Sequence, residues 1–132
     1  MNWIFAVSGM SLLLSVLYWS KLWFSFDFLG EEIGSERNAV GTWAGVNLFW
    51  AALLSALAYT QLKKVHRKTA RVIVTLTKMH LCIQAFPVLL WIILADPGAS
   101  WRGILAHGVV IALCIAAWTR IMKELREMRK SG

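Results

Sequence analysis

Two cysteines and the histidines are the side chains of this sequence best suited to ligate a metal ion or haem. Cys82 and Cys114 together with His80 would form a soft metal site, and His80 with His107 would be the two axial ligands of a haem. His66 stands among Lys and Arg residues, where a solvated ring is expected. Each hypothesis depends on whether the elements of the chain place these side chains at one level.

The elements that carry these side chains are predicted to be membrane spans. Of 132 residues, 58% are hydrophobic and 16% are charged, whereas soluble domains average about 45–50% and about 25%. A helix needs roughly 20 apolar residues to cross a bilayer core of about 30 Å. Four segments qualify, at residues 3–23, 40–62, 72–95 and 102–122. The sequence therefore predicts an all-α fold: a single polytopic membrane domain, a four-transmembrane-helix bundle with a cytoplasmic tail at 123–132.

The basic residues predict the orientation of the spans. Eleven of the 14 Lys and Arg residues fall between spans two and three, in the first turns of span three, or around and after the end of span four. Because Lys and Arg accumulate on the cytoplasmic side of membrane proteins, both termini are predicted to be cytoplasmic (N-in/C-in). Ile121, Leu125 and Met128 continue a helical spacing past span four, and the connection between spans two and three contains neither Gly nor Pro. Cytoplasmic helical extensions are therefore expected.

Aromatic residues near the ends of the spans are expected to lie at the two membrane surfaces. The outer set is Tyr18, Trp19, Trp23, Trp43, Trp91 and Trp101, and the inner set is Trp3, Tyr59 and Trp118. Trp50 falls near the middle of span two, where its N–H either needs a partner or points along an interface.

The net charge of +7 would suggest a nucleic-acid partner in a soluble chain. Here the imbalance of charge across the membrane accounts for it, and no nucleic acid is needed. The expected partners of the basic residues are anionic lipids of the cytoplasmic leaflet. They would contact a lipid-facing basic cluster formed by Lys63, Lys64, Arg67, Lys68 and Arg71.

Depth within the spans tests the metal and haem hypotheses. At a rise of about 1.5 Å per residue, His80 lies about 22 Å and His107 about 7 Å from the outer edge, which disfavours one haem between them. Cys82 and Cys114 share a level, but Cys also serves as a small apolar packing residue in protein cores. The sequence thus predicts no cofactor and no metal.

Polar and small residues inside the spans are the remaining functional candidates, because intramembrane polar groups are costly. Gln84 stands three residues before Pro87, which frees the carbonyl of Ile83; Gln84 then either lines a water path or bonds across an interface. Small residues spaced three or four apart let helices approach closely. The candidate pore or interface residues are Ser8, Ser11, Ser15, Gly41, Gly45, Asn47, Gln84, Pro87 and His107.

No predicted span contains Asp or Glu, which argues against proton-coupled transport through a buried acid. A four-helix bundle fills its own centre, so an ion path is expected to form between copies of the chain. Acidic residues between spans one and two, among them Glu31 and Glu32, would concentrate cations at its mouth. A homo-oligomeric, ion-permeable pore is therefore the first functional hypothesis.

Two other classes of function stay open. One is a non-catalytic accessory or assembly subunit that packs into a larger membrane complex through its small-residue faces. The other is a lipid or small-molecule enzyme or carrier that uses His80, Gln84 and His107. The connections are too short for a soluble catalytic domain, and the chain carries no Gly-rich phosphate loop and no H-E-x-x-H motif, so an enzyme ranks last.

The stretch Gly41-Thr42-Trp43-Ala44-Gly45, which opens the second span, resembles RexB-type phage-exclusion membrane proteins. The basic inner connection and the charged helical tail are similar as well, and the four-span topology covers the whole chain. The resemblance implies an integral protein of the bacterial inner membrane. It also implies that the protein depolarises the membrane of an infected cell, as an ion-permeable effector of phage defence.

Overall fold

The computed structural model describes residues 1–24, 26, 29, 37–94 and 97–131. This part of the chain contains no strand and four helices: α1 (Asn2–Phe24), α2 (Arg37–Thr60), α3 (Arg67–Leu94) and α4 (Pro97–Ser131). Each helix is long and apolar enough to cross a membrane, and helices satisfy their own backbone groups where no water is available. The predicted all-α fold with four spans is confirmed.

The helices pack as a bundle of antiparallel neighbours. α1 packs mainly on α2 and α3 mainly on α4, while α1 also lies against α4 and α2 touches α3 least. Apolar side chains from all four helices fill the centre, among them Ile4, Leu14, Leu54, Ile73, Val110 and Ile121. Large apolar side chains also cover the outside, among them Leu13, Val16, Phe49, Ile93 and Leu105. An apolar exterior of this extent suits contact with lipid.

The helix α4 is longer than a bilayer core requires. Its 35 residues span about 52 Å at a rise of about 1.5 Å per residue, against a core of about 30 Å. Ile121 and Leu125 in its last third are buried, and they belong to the same apolar cluster as Ala70 and Ile73 of α3. The predicted helical tail is present, and its apolar stripe packs within the chain.

A short turn joins α2 to α3. The buried Gln61 donates from Nε2 to Oγ1 of Thr60, and its Oε1 accepts the backbone N–H of His66. The carbonyl of His66 in turn accepts the N–H of Ala70 in the first turn of α3. The residues of the predicted lipid-facing cluster are all exposed around this turn: Lys63, Lys64, Arg67, Lys68 and Arg71.

The two prolines occupy different parts of their helices. Pro97 is the first residue of α4, a position at which the missing N–H and the fixed φ of proline are tolerated. Pro87 lies inside α3, which continues beyond it to Leu94. Because proline lacks an N–H, the carbonyl of Ile83 has no helical donor at this point.

Candidate functional site

A chain of buried hydrogen bonds connects all four helices inside the bundle. Gln84 on α3 donates from Nε2 to Oδ1 of Asn47 on α2 at 2.8 Å, and Asn47 donates from Nδ2 to the carbonyl of Trp43 at 2.9 Å. Oε1 of Gln84 lies 2.5 Å from Nδ1 of His107 on α4, whose Nε2 lies 2.7 Å from the hydroxyl of Tyr18 on α1. Tyr18, Asn47, Gln84 and His107 are at most 1% exposed and are termed the four-helix network.

One arrangement of protons satisfies the four-helix network. Oε1 of Gln84 can only accept, so Nδ1 of His107 donates to it. With a neutral imidazole, Nε2 of His107 then accepts a hydrogen bond from the hydroxyl of Tyr18. Every hydrogen bond therefore runs in one direction, from Tyr18 to the carbonyl of Trp43.

The four-helix network is suited to positioning helices and unsuited to moving protons. A proton relay needs groups that accept one proton and release another, which the side-chain amides of Asn47 and Gln84 do not do. A hydrogen bond between membrane helices contributes about 0.6 kcal/mol on average and up to about 1.7 kcal/mol. Removing one partner costs more, about 1–3 kcal/mol, because the other is left buried and unpaired. We therefore assign these side chains a structural role.

Aromatic rings surround His107. The ring centroids of Tyr18, Trp43 and Trp91 lie 5.9, 6.1 and 5.3 Å from that of His107. Tyr18 and Trp91 are 1% and 3% exposed, so these two rings of the predicted outer set point into the bundle. Sequence reasoning missed Tyr18 as a network residue. Its spacing of three and seven residues from Ser15 and Ser11 was the available signal.

A second buried histidine contacts the same face of α1. Nε2 of His80 lies 2.8 Å from Oγ of Ser11, and the ring of Trp50 stacks on the imidazole with centroids 5.2 Å apart and planes at 27°. Nδ1 of His80 has no hydrogen-bond partner among the described residues. Ser11 and Tyr18, two helical turns apart, thus each contact one of the two buried histidines.

These contacts bear on the metal and haem hypotheses. Both ring nitrogens of His107 are engaged in hydrogen bonds, so a bond to iron or another metal would have to break one of them. Cys82 is exposed and Cys114 is buried, the latter within the apolar core. In the part of the chain that the structure describes, no three His, Cys, Asp or Glu side chains are grouped to hold a metal ion.

The predicted pore or interface residues divide into two groups. Those buried inside the bundle are Ser8, Ser11, Ser15, Asn47, Gln84, Pro87 and His107. The other two lie on α2, where Gly45 is exposed and Gly41 is half-buried. The small residues Ala52 and Ala56 of the same helix, which were not among the predicted residues, are exposed as well. A Cβ atom added at Gly41 or Gly45 would meet no atom of the described residues within 4 Å beyond its own helix. Gly45, Ala52 and Ala56, termed the small-residue stripe of α2, therefore face away from their own bundle.

A groove of about 330 Å³ between α1 and α2 includes part of this stripe. This groove is termed the α1–α2 groove. It is lined by Phe5, Ser8, Gly9, Leu12, Leu48, Ala51, Ala52 and Ser55. Ser8 is only 4% exposed, and its Oγ has no hydrogen-bond partner among the described residues. By contrast, Oγ of Ser15 donates to the carbonyl of Ala44 at 2.8 Å. An unpaired hydroxyl in an apolar setting is costly, so Ser8 is the groove residue that most needs a partner.

The acidic residues expected at the mouth of a pore, Asp27, Glu31, Glu32 and Glu36, lie outside the residues that the structure describes.

Comparison of the chain with protein-family models, with curated proteins and with solved structures finds no match.

Proposed function

We propose that this chain is an integral membrane protein that associates with further copies of itself through the α1–α2 groove. Its function is then carried by the assembly, with no catalysis inside a single bundle. The observation that supports this proposal is the hydroxyl of Ser8 in the lining of a groove, which is buried and has no hydrogen-bond partner in the part of the chain that the structure describes. Within a membrane no water is available to such a group, so its partner has to come from protein or lipid.

A transmembrane helix is the occupant that suits the α1–α2 groove. Gly9, Ala51 and Ala52 carry no long side chain, and small residues let the backbone of a second helix approach closely. A rotation of the buried Ser8 side chain would then let its hydroxyl donate a hydrogen bond to a backbone carbonyl of the incoming helix. Serine hydroxyls form hydrogen bonds of this kind between membrane helices.

A second copy of this chain is the simplest source of that helix. The small-residue stripe of α2 includes Ala52, which also lines the α1–α2 groove. Two copies related by a two-fold axis would therefore place each α2 against the groove of the other. Such symmetric contacts use the same surface on both partners.

An ion-permeable pore formed between copies is the second candidate function. One bundle is filled by its own side chains, so an ion path would lie along the shared surface. The feature that favours this candidate is the presence of hydroxyl groups on α2 beside the small residues, at the exposed Thr42 and the half-buried Ser55. With the resemblance to RexB-type proteins, such an assembly would depolarise the bacterial inner membrane as a phage-defence effector.

An accessory subunit would use the same groove in a different way. A helix of another protein would then fill the α1–α2 groove, and the isolated chain would remain a monomer. This alternative predicts that the chain accumulates in the membrane only when that larger complex is produced with it.

We further propose that both termini face the cytoplasm. The exposed turn between α2 and α3 carries Lys63 and Lys64, and the last turns of α4 carry Arg129 and Lys130. In an antiparallel bundle these two basic regions lie at the same end. That end would contact the anionic lipids of the cytoplasmic leaflet.

The mass of the purified protein in detergent tests self-association. The wild-type chain is expected as a dimer or a larger closed oligomer. Ala52→Leu fills the α1–α2 groove and is expected to yield a monomer. Ala112→Leu adds the same volume on the exposed face of α4 and is expected to leave the mass unchanged. A monomeric wild-type chain would contradict the proposal.

Potassium flux in proteoliposomes separates the two assemblies. A flux in the wild type that Ala52→Leu abolishes and Ala112→Leu retains would support the pore. If the wild-type oligomer shows no potassium flux, the assembly is non-conducting and the pore is excluded.

A further inference from the structure

A second groove lies between the beginning of α1 and the basic part of α4. It has a volume of about 320 Å³ and is lined by Trp3, Ala116, Thr119, Arg120 and Lys123. The two cationic residues are three positions apart and so share one face of the helix. Trp3 is 44% exposed beside them. Trp, Arg and Lys are the residue types that contact lipid headgroups at a membrane surface.

The charges of this groove are available to an external anion. Neither Arg120 nor Lys123 forms an ion pair with a carboxylate of the described residues. The hydroxyl of Thr119 donates within its own helix, toward the carbonyls of Ile115 and Ala116 at 3.0 Å. An anion would therefore be held by the guanidinium and the ammonium groups. The planar fork of a guanidinium matches the geometry of phosphate oxygens.

A track of small residues leads away from the groove along α4. Ala116, Ala112 and Gly108 follow one another at intervals of four residues, which places them on one side of the helix. A Cβ atom added at Gly108 would meet no atom within 4 Å beyond its own helix in the part of the chain that the structure describes. Ile115, which is 45% exposed, adds apolar surface next to this track. The surface is shallow and apolar, as contact with an acyl chain requires.

We propose that the groove and the track together bind one anionic phospholipid. The lipid phosphate contacts Arg120 and Lys123, its glycerol region lies beside Trp3, and an acyl chain follows the track from Ala116 to Gly108. Charge complementarity selects this occupant, because a zwitterionic headgroup brings a cation of its own to the two basic side chains. The proposal is independent of self-association, since it involves neither α2 nor Ser8.

Native mass spectrometry of the purified protein, titrated with dioleoylphosphatidylglycerol, tests the proposal. One molecule is expected to bind each chain at concentrations at which dioleoylphosphatidylcholine does not. Arg120→Gln with Lys123→Gln is expected to weaken this binding about thirtyfold, since each basic side chain contributes about 1 kcal/mol. Arg37→Gln with Arg126→Gln removes the same charge at two exposed positions outside the groove and outside the basic cluster, and it is expected to leave the tight binding unchanged.

Three outcomes would overturn the proposal. Equal weakening by the two double variants would assign the binding to net charge alone. Displacement of the lipid by inorganic phosphate would assign it to a free-anion site. Unchanged binding in Ala112→Leu, a variant that blocks the track and leaves both charges in place, would exclude the acyl-chain contact.

Discussion

Gln84 binds two other helices through the two ends of one amide. Its N–H group donates to Asn47 of α2, and its oxygen accepts from His107 of α4. The amide has to be fixed in one orientation for both contacts to form, since its oxygen and nitrogen are not interchangeable. The four-helix network thereby specifies which helices meet and in which register. Apolar packing alone would restrict the pairing and the register of the helices less strictly.

Gln84→Leu is expected to destabilise the bundle by about 1–3 kcal/mol, because Nδ1 of His107 and Oδ1 of Asn47 are left buried without a partner. The free energy of unfolding in detergent, measured by denaturant titration, checks this value. The double variant Asn47→Leu with Gln84→Leu is expected to lose less than the sum of the two single variants, because it removes both members of one hydrogen bond. Strictly additive losses would contradict the assigned hydrogen bond.

Ser8→Ala and Ser15→Ala are expected to differ in their effect on the bundle. Ser15→Ala removes the hydrogen bond from the Ser15 hydroxyl to the carbonyl of Ala44. This loss is expected to lower the free energy of unfolding by about 0.5–1.5 kcal/mol. Ser8 has no hydrogen-bond partner among the described residues, so its replacement is expected to leave the stability of the monomeric Ala52→Leu background unchanged or slightly raised. Unfolding of both variants in that background is the measurement, and a destabilising Ser8→Ala would show that Ser8 already has a partner.

At the scale of the helices, the close approach of α4 to α3 depends on Gly103. A Cβ atom at this position would lie 2.8 Å from Cη2 of Trp91 and 3.1 Å from the carbonyl oxygen of Leu29. Trp91 is buried beside His107 and has little room to move. The glycine therefore sets the distance at which the ring of Trp91 can pack against α4.

Gly103→Ala is expected to lower the free energy of unfolding by about 1–3 kcal/mol through overpacking. Gly108→Ala on the same helix meets open space and is expected to be neutral or stabilising by up to about 1 kcal/mol, since Ala favours helix over Gly. Thermal unfolding in detergent compares the two variants. A tolerated Gly103→Ala would mean that α4 and Trp91 do not pack as closely as described.

Hydropathy predicts which part of each helix crosses the membrane. It does not predict the residue at which the helix begins or ends. The third span was expected from residue 72, whereas α3 begins at Arg67; α4 likewise continues to Ser131. The extra residues are mostly Lys, Arg, Glu and Met, which favour helix in water as well as near a membrane. A scale that measures transfer into lipid does not detect helices of this kind.

Apolar periodicity also does not reveal which face of a span points inward, because lipid and protein core are similarly apolar. Polar residues do mark that face, so Ser11, Asn47 and Gln84 were recognised as candidates. The partners they have in the structure were not predictable, because each contact joins two helices whose relative rotation the sequence leaves open. The sequence likewise predicts Tyr18 near the outer membrane surface but does not predict that its side chain is buried in the bundle.

At the scale of the whole molecule, the uneven charge distribution predicts that the turn between α2 and α3 is cytoplasmic. In a background without native thiols (Cys82→Ser with Cys114→Ala), Lys64→Cys is expected to be protected from a membrane-impermeant thiol reagent in intact cells. Glu32→Cys in the same background is expected to react, since it belongs to the opposite, acidic connection. The reverse labelling pattern would contradict the orientation.

The central claim is that copies of the chain meet along the α1–α2 groove, and crosslinking in native membranes tests it most directly. Ala52→Cys in the same thiol-free background, treated with a short thiol-reactive crosslinker, is expected to yield an adduct of twice the 14.9 kDa chain. Ala112→Cys, equally exposed on α4, is expected to yield none. An adduct of Ala52→Cys with a different protein would indicate an accessory subunit. No adduct, or equal adducts from both positions, would contradict self-association through this groove.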